Sequence, residues 1–383
     1  MAQESSNVLN LSPEEFKARF EAAGIEPYRA GQVLKWIYEK GVYDFDKMTN
    51  LSFELRKKLK SEFSILLPEV AEKEKSHDDK STKLLLKLND KEFVETVYIP
   101  ADKRATSNDE APRRMTGRNT ICLSTQVGCK FHCAFCASGQ SGFFRNLSSG
   151  EMLSQVLMAR DACLPVGKES PDKKISNIVF MGIGEPFDNY KELLKTVRTL
   201  NSKEALRMGA RRITISTCGI VPKIEALSYE GLQVELSVSL HGPNDTVRGA
   251  IMPVNKAYPV KTLIEACKKY VKKTKRAITF EYILVKGVNA SEKEARELAK
   301  LLSGMLCKVN LIPYNPIEEF PHEAPSYEEI VRFQKILQHS GIKTTVRFSK
   351  GRDIQAACGQ LRSVKLGGNP GPGPVRMSRK ERD

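Results

Sequence analysis

The pattern of apolar and polar positions changes character about a third of the way along the chain. From residue 119 onward, short apolar runs alternate with longer stretches whose apolar residues recur at helical spacing. This alternation is typical of βα units built around a parallel sheet. The predicted strands span residues 120–124, 177–181, 212–216, 234–239, 278–284 and 309–312. The predicted helices span residues 149–163, 189–201, 222–228, 259–273, 291–302 and 327–339. The six βα units within residues 119–350 are too few to close an eight-stranded barrel.

Residues 1–66 predict a small helical module. Ser12 is a suitable N-cap and is followed by Pro13 at the first helical position. Two more helices are predicted at 33–38 and 51–63 from the spacing of their apolar residues. A module of this kind can serve as an RNA-binding accessory domain, although solvated helix faces explain its charges equally well.

Residues 67–118 predict a β-hairpin followed by a flexible linker. The segment 82–99 contains two strand-like runs, with Asn89 and Asp90 as the turn between them. Residues 101–118 have no periodic apolar pattern and predict an exposed basic loop.

The charge of the chain favours a polyanionic partner. Its 383 residues carry a formal net charge of +15, with a pI near 9.3. Contacts to phosphate release counterions, so basic proteins often bind nucleic acid, although many basic proteins do not. The candidate contacts are residues 56–60, Lys103, Arg104, Arg113, Arg114, Arg118 and residues 268–276.

No hydrophobic segment predicts a membrane protein. No apolar run approaches the ~20 residues of a membrane span, and the polar start MAQESSNVLN is not typical of a signal peptide. A cytoplasmic location without membrane contact is therefore expected. The tail at 367–383, rich in glycine and proline and then charged, is predicted to be disordered.

Three cysteines form the most specific motif. Cys129, Cys133 and Cys136 recur at i, i+4 and i+7, so one compact loop can aim all three sulfurs at one point. With nine cysteines in the chain, roughly 0.005 such matches are expected by chance. Thiolates at this spacing hold either zinc or an iron–sulfur cluster. Zinc needs a fourth ligand, and the only close candidate, His132, lies inside the loop. A [4Fe–4S] cluster held by three cysteines keeps one iron open for a substrate.

Polar motifs recur where the predicted strands end, which is where βα barrels bind ligands. Each has a simpler interpretation as a turn or a helix cap. Their recurrence at one rim nevertheless predicts hydrogen bonds to a common ligand. The candidates are Gly184, Glu185, Ser216, Ser239, Leu240, His241 and Asn315. Two more cysteines, Cys122 and Cys358, would by themselves be interpreted as small buried apolar residues.

Taken together, these motifs resemble a known family. The spacing of the cysteine loop is that of radical S-adenosylmethionine (SAM) enzymes, and seven segments in order resemble the bacterial RNA adenine-C2 methyltransferases of the RlmN type. These segments are VETVYIP, CLSTQVGCKFHCAFCASGQSGFFRNL, MGIGEP, ISTCGIVP, SLHGPNDTVR, LIPYNP and DIQAACGQL. The resemblance runs from the helical module to about residue 362. It implies an α/β fold with a partial (β/α)6 radical SAM barrel at residues 119–350 and a [4Fe–4S] cluster. It also implies SAM, with its amino group held by the GIGE element and its nucleoside and methionine portions held by the other rim residues.

The resemblance also implies a substrate and a mechanism. The family methylates C2 of one adenosine in the peptidyl-transferase region of 23S rRNA and the adenosine beside the anticodon in some tRNAs. Cys358, in a C-terminal segment at 351–366, would take a methyl group from one SAM, and a second SAM would be cleaved at the cluster. Glu95 would accept the C2 proton, and Cys122 would release the product by forming a disulfide with Cys358. Cys218 has no implied role.

The resemblance leaves partners and alternatives open. An external electron donor of the flavodoxin or ferredoxin kind is expected, and a monomer is expected. One alternative is the related methylation of adenine C8, which confers antibiotic resistance. Another is a non-catalytic RNA-binding protein that carries zinc.

Overall fold

The N-terminal part of the chain is a helical module with its own core. The computed structural model describes residues 6–101, 118–164 and 175–362. The helices of the module are α1 (Pro13–Ala22), α2 (Tyr28–Tyr38) and α3 (Phe53–Glu62), joined at their base by the short strands β1 (Ser6–Asn7) and β2 (Phe63–Ser64). The predicted cap is confirmed: the Ser12 hydroxyl accepts from the Glu15 N–H at 3.1 Å, and the Glu15 carboxylate accepts from the Ser12 N–H at 2.7 Å. Phe16 and Phe20 pack together in this core, which is continuous with residues of the barrel helices.

A ten-stranded sheet forms the body of the described chain. Three antiparallel strands precede seven parallel ones, and the last antiparallel strand pairs directly with the first parallel strand. The antiparallel strands are β3 (Glu69–Lys75), β4 (Thr82–Lys87) and β5 (Phe93–Ile99). The parallel strands are β6 (Asn119–Cys122), β9 (Ile175–Phe180), β10 (Ile213–Thr217), β11 (Glu235–Ser239), β12 (Ile278–Leu284), β13 (Cys307–Pro313) and β14 (Lys343–Val346). A separate hairpin of β7 (Gln126–Gly128) and β8 (Phe143–Asn146) encloses the cysteine loop and the short helix α4 (Ala137–Gln140).

Helices cover the outer face of the parallel sheet. They are α5 (Ser149–Cys163), α6 (Tyr190–Asn201), α7 (Val221–Leu227), α8 (Asp245–Ile251), α9 (Val260–Thr274), α10 (Glu292–Leu302) and α11 (Tyr327–His339). The main core lies between these helices and the sheet, where apolar side chains of both layers are fully buried. Among the described residues, none of the helices is both long and apolar enough to cross a bilayer.

The α/β fold is confirmed, all six predicted βα units are present, and the predicted hairpin of β4 and β5 extends the barrel sheet. Two strands were not predicted. A seventh parallel strand, β14, follows α11, and β3 adds a third antiparallel strand inside the segment predicted to be partly linker. The predicted contacts Lys103, Arg104, Arg113 and Arg114 and the tail at 367–383 lie outside the described residues.

Candidate functional site

The predicted site residues gather mostly around one pocket at the carboxyl ends of the parallel strands. This pocket has a volume of about 160 Å³. The sequence-predicted residues that line it are Cys129, Cys133, Cys136, Gly184, Glu185, Ser216, Ser239, His241 and Cys358. Residues from several strands and from the two ends of the barrel sequence therefore meet at one place, as the βα arrangement requires.

Backbone hydrogen bonds anchor the cysteine loop at both of its ends. The Cys129 N–H donates to the Gly142 carbonyl at 2.8 Å, next to the pairing of β7 with β8. Gly128 adopts φ +76°, and a Cβ at this position would lie 1.8 Å from the Gly142 oxygen. At the other end, the Ala137 N–H donates to the Gly359 carbonyl at 2.7 Å. This last bond ties the loop directly to the segment that carries Cys358.

We expect the substitution Gly128→Ala to deprive the loop of iron. A side chain at this position would clash with a backbone carbonyl and would also strain a backbone that has positive φ. The loop therefore has to shift, which lowers the stability of its native conformation by about 1–3 kcal/mol or more. Gly287→Ala is the matched control, because Gly287 also has positive φ but no atom lies within 4 Å of its added Cβ. Iron and sulfide content after anaerobic reconstitution should fall sharply in the first variant and stay near the parent value in the second. Equal iron content in both variants would contradict this account of the loop.

The donor set fits an iron–sulfur cluster. Burial raises the pKa of the Cys129 thiol to about 12, and the pKa values of the Cys133 and Cys136 thiols are raised for the same reason. A positively charged metal group is what makes buried thiolates stable. Within the described part of the chain, no three cysteine, histidine or carboxylate side chains converge closely enough to hold a single metal ion. The three cysteines line one pocket, and a cube-shaped cluster, which takes each thiolate on a different iron, suits such a donor set.

Gly184 and Glu185 form a rigid rim beside the loop. Gly184 has φ +100°, and a Cβ there would lie 2.6 Å from the Cβ of Gln126. The Glu185 carboxylate accepts from the Phe187 N–H at 2.9 Å and from the Cys218 N–H at 2.6 Å. Burial raises the pKa of Glu185, while these two donors favour its ionised form. The side chain is therefore fixed in place where it lines the pocket.

Ser239 and His241 line the pocket, whereas Leu240 does not. Ser239 is the last residue of β11, and the chain leaves the strand after it: the Leu240 side chain is fully buried in the core, and His241 adopts φ +55°. The prediction of Leu240 as a pocket side chain is not matched by its position. The Nδ1 atom of His241 accepts from the Ile283 N–H at 3.0 Å, and burial lowers the pKa of His241 to about 3. The imidazole is therefore neutral and carries its proton on Nε2.

Cys358 lies between this pocket and a smaller one. The smaller pocket also contains Cys122, and Cys358, Arg347 and Met181 line both. Asn315 does not line either pocket. Its side-chain amide donates to the Cys358 carbonyl at 3.2 Å and to the Ser349 hydroxyl at 2.9 Å, so it holds the Cys358 segment instead.

The disulfide implied by the resemblance is not present in the structure. All nine cysteines are free. Burial raises the pKa of Cys122 to about 12, with a further contribution from the charge of Cys358.

Glu95 lies on β5 outside both pockets. Its carboxylate is 3.3 Å from the Lys83 ammonium, and it accepts from the Arg362 N–H at 2.8 Å. Burial raises its pKa, which the charge of Lys83 partly offsets. On the same face of the strand, Val97 pairs with Cys122 and lines the smaller pocket. Glu95 thus lies two residues along β5 from Val97, which lines the smaller pocket together with Cys122 and Cys358.

Two charged pocket residues were missed by the sequence prediction. Arg347 follows the short strand β14, and the charge of Cys358 is the main cause that raises its pKa. Glu281 is a buried carboxyl in the middle of β12, and its Oε1 accepts from Ser237 at 3.1 Å and Asn310 at 3.2 Å. A carboxyl within an otherwise apolar predicted strand is a signal that could have identified Glu281.

Comparison with known proteins agrees with this site. Residues 6–65 match the ribosomal RNA large subunit methyltransferase N-terminal domain, and residues 123–299 match the radical SAM superfamily. The chain is 47% identical to a probable dual-specificity RNA methyltransferase RlmN of Clostridium tetani over 93% of its own length and 95% of that protein. It is 42% identical to the protein of that name in Bacillus licheniformis, over 94% of each chain. The solved structure of a radical SAM methyltransferase from Sphaerobacter thermophilus, 43% identical, superposes with a TM-score of 0.85 over 94% of this chain and all of that one.

Proposed function

Because this chain belongs to the RlmN family of radical SAM RNA methyltransferases, we propose that it methylates C2 of one adenosine in the peptidyl-transferase region of 23S rRNA and C2 of the adenosine beside the anticodon in tRNA. Its cofactors are a [4Fe–4S] cluster and SAM. The position of Cys358 carries the proposal, because this thiol lines both the pocket of the three cluster cysteines and the smaller pocket of Cys122.

The two-pocket arrangement suits the chemistry of adenine C2. This carbon is electron-poor and cannot attack the electrophilic methyl group of SAM. The methyl group therefore cannot be transferred to it by direct nucleophilic displacement. When bound, the cluster supplies the electron that cleaves SAM and so opens a radical route. Cys358 takes the methyl group as a nucleophile and carries it to the base, and its neighbour Arg347 provides a positive charge beside the sulfur. Gly184, Glu185, Ser216, Ser239 and His241 hold SAM.

Glu95 accepts the C2 proton in this proposal, and its pH dependence tests the role. A raised pKa means that the carboxylate form is lost as the pH falls through a value above that of an ordinary glutamate. Lys83→Met removes the charge that opposes this shift, so the acid limb of the pH–rate profile should move to higher pH. Single-turnover product formation should be several-fold slower at the acid end and equal to the parent rate at high pH.

Lys87→Met is the control for that variant. Lys87 is on the same strand as Lys83 but pairs with Glu69, at 3.9 Å, and not with Glu95. Its acid limb should match that of the parent. If the two variants give the same profile, Glu95 is not the group that accepts the proton.

RNA binding is proposed for the basic surface of the N-terminal module, residues 1–66, together with residues 118 and 268–276. Lys57 and Lys58 are exposed on α3. We expect the affinity for an rRNA fragment to fall steeply as the salt concentration rises. The double substitution Lys57→Gln, Lys58→Gln should make the slope of log K against log [salt] shallower by about 0.7–0.9 for each phosphate that is no longer neutralised. The same changes at the exposed Lys293 and Lys300 of α10 should leave the slope as it was. A flat salt dependence in the parent would overturn the electrostatic account.

An external one-electron donor of the flavodoxin or ferredoxin kind is proposed as a second partner, with a single chain as the active unit. The decisive assay for the proposed function is anaerobic reconstitution with SAM, reductant and rRNA or tRNA fragments, followed by mass spectrometry of the nucleosides. We expect 2-methyladenosine. The appearance of 8-methyladenosine instead would assign the chain the alternative regiochemistry, and a colourless zinc protein without product would exclude both.

A further inference from the structure

Arg248 on α8 is a fully buried cation beside the cysteine loop. Its Nη1 donates to Asn255 Oδ1 at 2.9 Å and to the Tyr258 carbonyl at 3.2 Å. Its Nη2 donates to the Cys218 carbonyl at 2.6 Å. The Nε atom is buried without a partner. Every group that Arg248 contacts through a hydrogen bond is neutral.

A buried charge needs a counter-charge. Removing an ion from water costs several kcal/mol even after the protein relaxes around it. Within the described ranges of the chain, no carboxylate forms an ion pair with Arg248. The nearest candidate, Asp245, is bonded instead to Asn255 at 3.0 Å and to the Val260 N–H at 2.7 Å. The protein part of the site therefore leaves this guanidinium without a direct anionic partner.

Arg248 does not line the cluster pocket, but it is bonded to the carbonyl of Cys218, which does. The Ile251 carbonyl at the end of α8 accepts from the Ala134 N–H of the cysteine loop at 2.9 Å, and the next residue, Met252, lines the pocket. Cys133 packs in the same apolar cluster as Ile251 and Met252. Burial lowers the pKa of Arg248, and negative charge on the sulfurs of Cys218 and then Cys133 would oppose that shift. A cluster held by three thiolates would bring negative charge to this place.

We infer that Arg248 is the buried counter-cation of the iron–sulfur cluster and that its charge raises the reduction potential of the cluster. A fixed positive charge stabilises the form with one more electron, so it makes reduction easier. Arg248 acts through the cluster and is a positioning residue, not a catalytic one. The inference rests on the cluster that family membership implies and not on the RNA substrate of the proposed function.

The test is a redox titration of the reconstituted protein without RNA, with dithionite as reductant and the reduced cluster followed by electron paramagnetic resonance. Arg248→Met and Arg248→Gln remove the charge, and Arg248→Lys keeps it. Arg160→Met is the control, because Arg160 is a half-buried arginine of α5 that bonds to Asp161 and to the Tyr38 carbonyl. Iron and sulfide are measured first for every variant.

In the neutral variants we expect one-electron reduction to be at least tenfold less favourable, which is a fall in potential of about 59 mV. The lysine variant and Arg160→Met should stay close to the parent. Retention of iron only when position 248 carries a charge would also support the inference. It is overturned if a neutral variant keeps its iron with an unchanged potential, or if the lysine variant behaves like the neutral ones. Either result leaves the proposed function intact, because product formation is measured separately.

Discussion

Replacement of Cys358 by alanine is expected to abolish adenosine methylation, lowering the single-turnover rate by more than about 10³-fold. Of the two cysteines at this place, only Cys358 lines both pockets, whereas Cys122 lines the smaller pocket alone. The measurement is nucleoside mass spectrometry after anaerobic incubation with SAM, reductant and an rRNA fragment.

Cys307→Ala is the matched control for this variant. Cys307 has intermediate burial like Cys358 but lies at the start of β13 and lines neither pocket. It should retain activity, and both variants should retain iron. Methylated adenosine from the Cys358 variant at a rate near that of the control would contradict the role of this thiol.

The second large effect is expected from Cys122→Ala. When the methylene carbon has joined C2, the RNA is tied to Cys358, and the Cys122 sulfur must attack the Cys358 sulfur. The carbon–sulfur bond then breaks, the carbon keeps the electron pair and gains a proton, and a disulfide forms. Without this thiol, the covalent RNA–protein adduct should accumulate to about one per active chain, with little free product. Denaturing gel electrophoresis of labelled RNA detects the adduct.

Cys218→Ala distinguishes this role from that of any nearby thiol. Cys218 is a buried cysteine that lines the cluster pocket but not the smaller pocket, and its backbone is bonded to Glu185 and Arg248. Its variant should release free product. An adduct in the Cys218 variant and not in the Cys122 variant would move the resolving role to Cys218.

Much of the fold was predictable because its signals are local. Apolar runs separated by helical spacing located six βα units, and Ser12 with Glu15 marked the first helix start. The short strand β14 was missed because the four residues of Lys343–Val346 carry no pattern distinct from a loop, and they form a strand only because β13 offers an open edge. Strand β3 was missed because it is mostly exposed and five of its seven residues are charged.

Site residues could be predicted from the sequence where they belong to a recognisable motif. The three cysteines of the loop follow from their spacing, whereas Glu185 at a strand end could equally be part of a plain turn and also needed the family resemblance. Cys358, Cys122 and Glu95 needed the family resemblance, because a lone cysteine or a strand glutamate carries no local signal. Arg347 and Arg248 could not be found, since each acquires its neighbours through tertiary packing.

One measurement tests the central claim most directly. The enzyme is incubated with unlabelled SAM without reductant, freed of SAM, and then given SAM with a deuterated methyl group, reductant and RNA. If Cys358 carries the methyl group between the two pockets, the product of the first turnover should contain the unlabelled group, and the label should appear only in later turnovers. A fully deuterated methyl group in the first product would show that the methyl group passes directly from SAM to the base and would contradict the account.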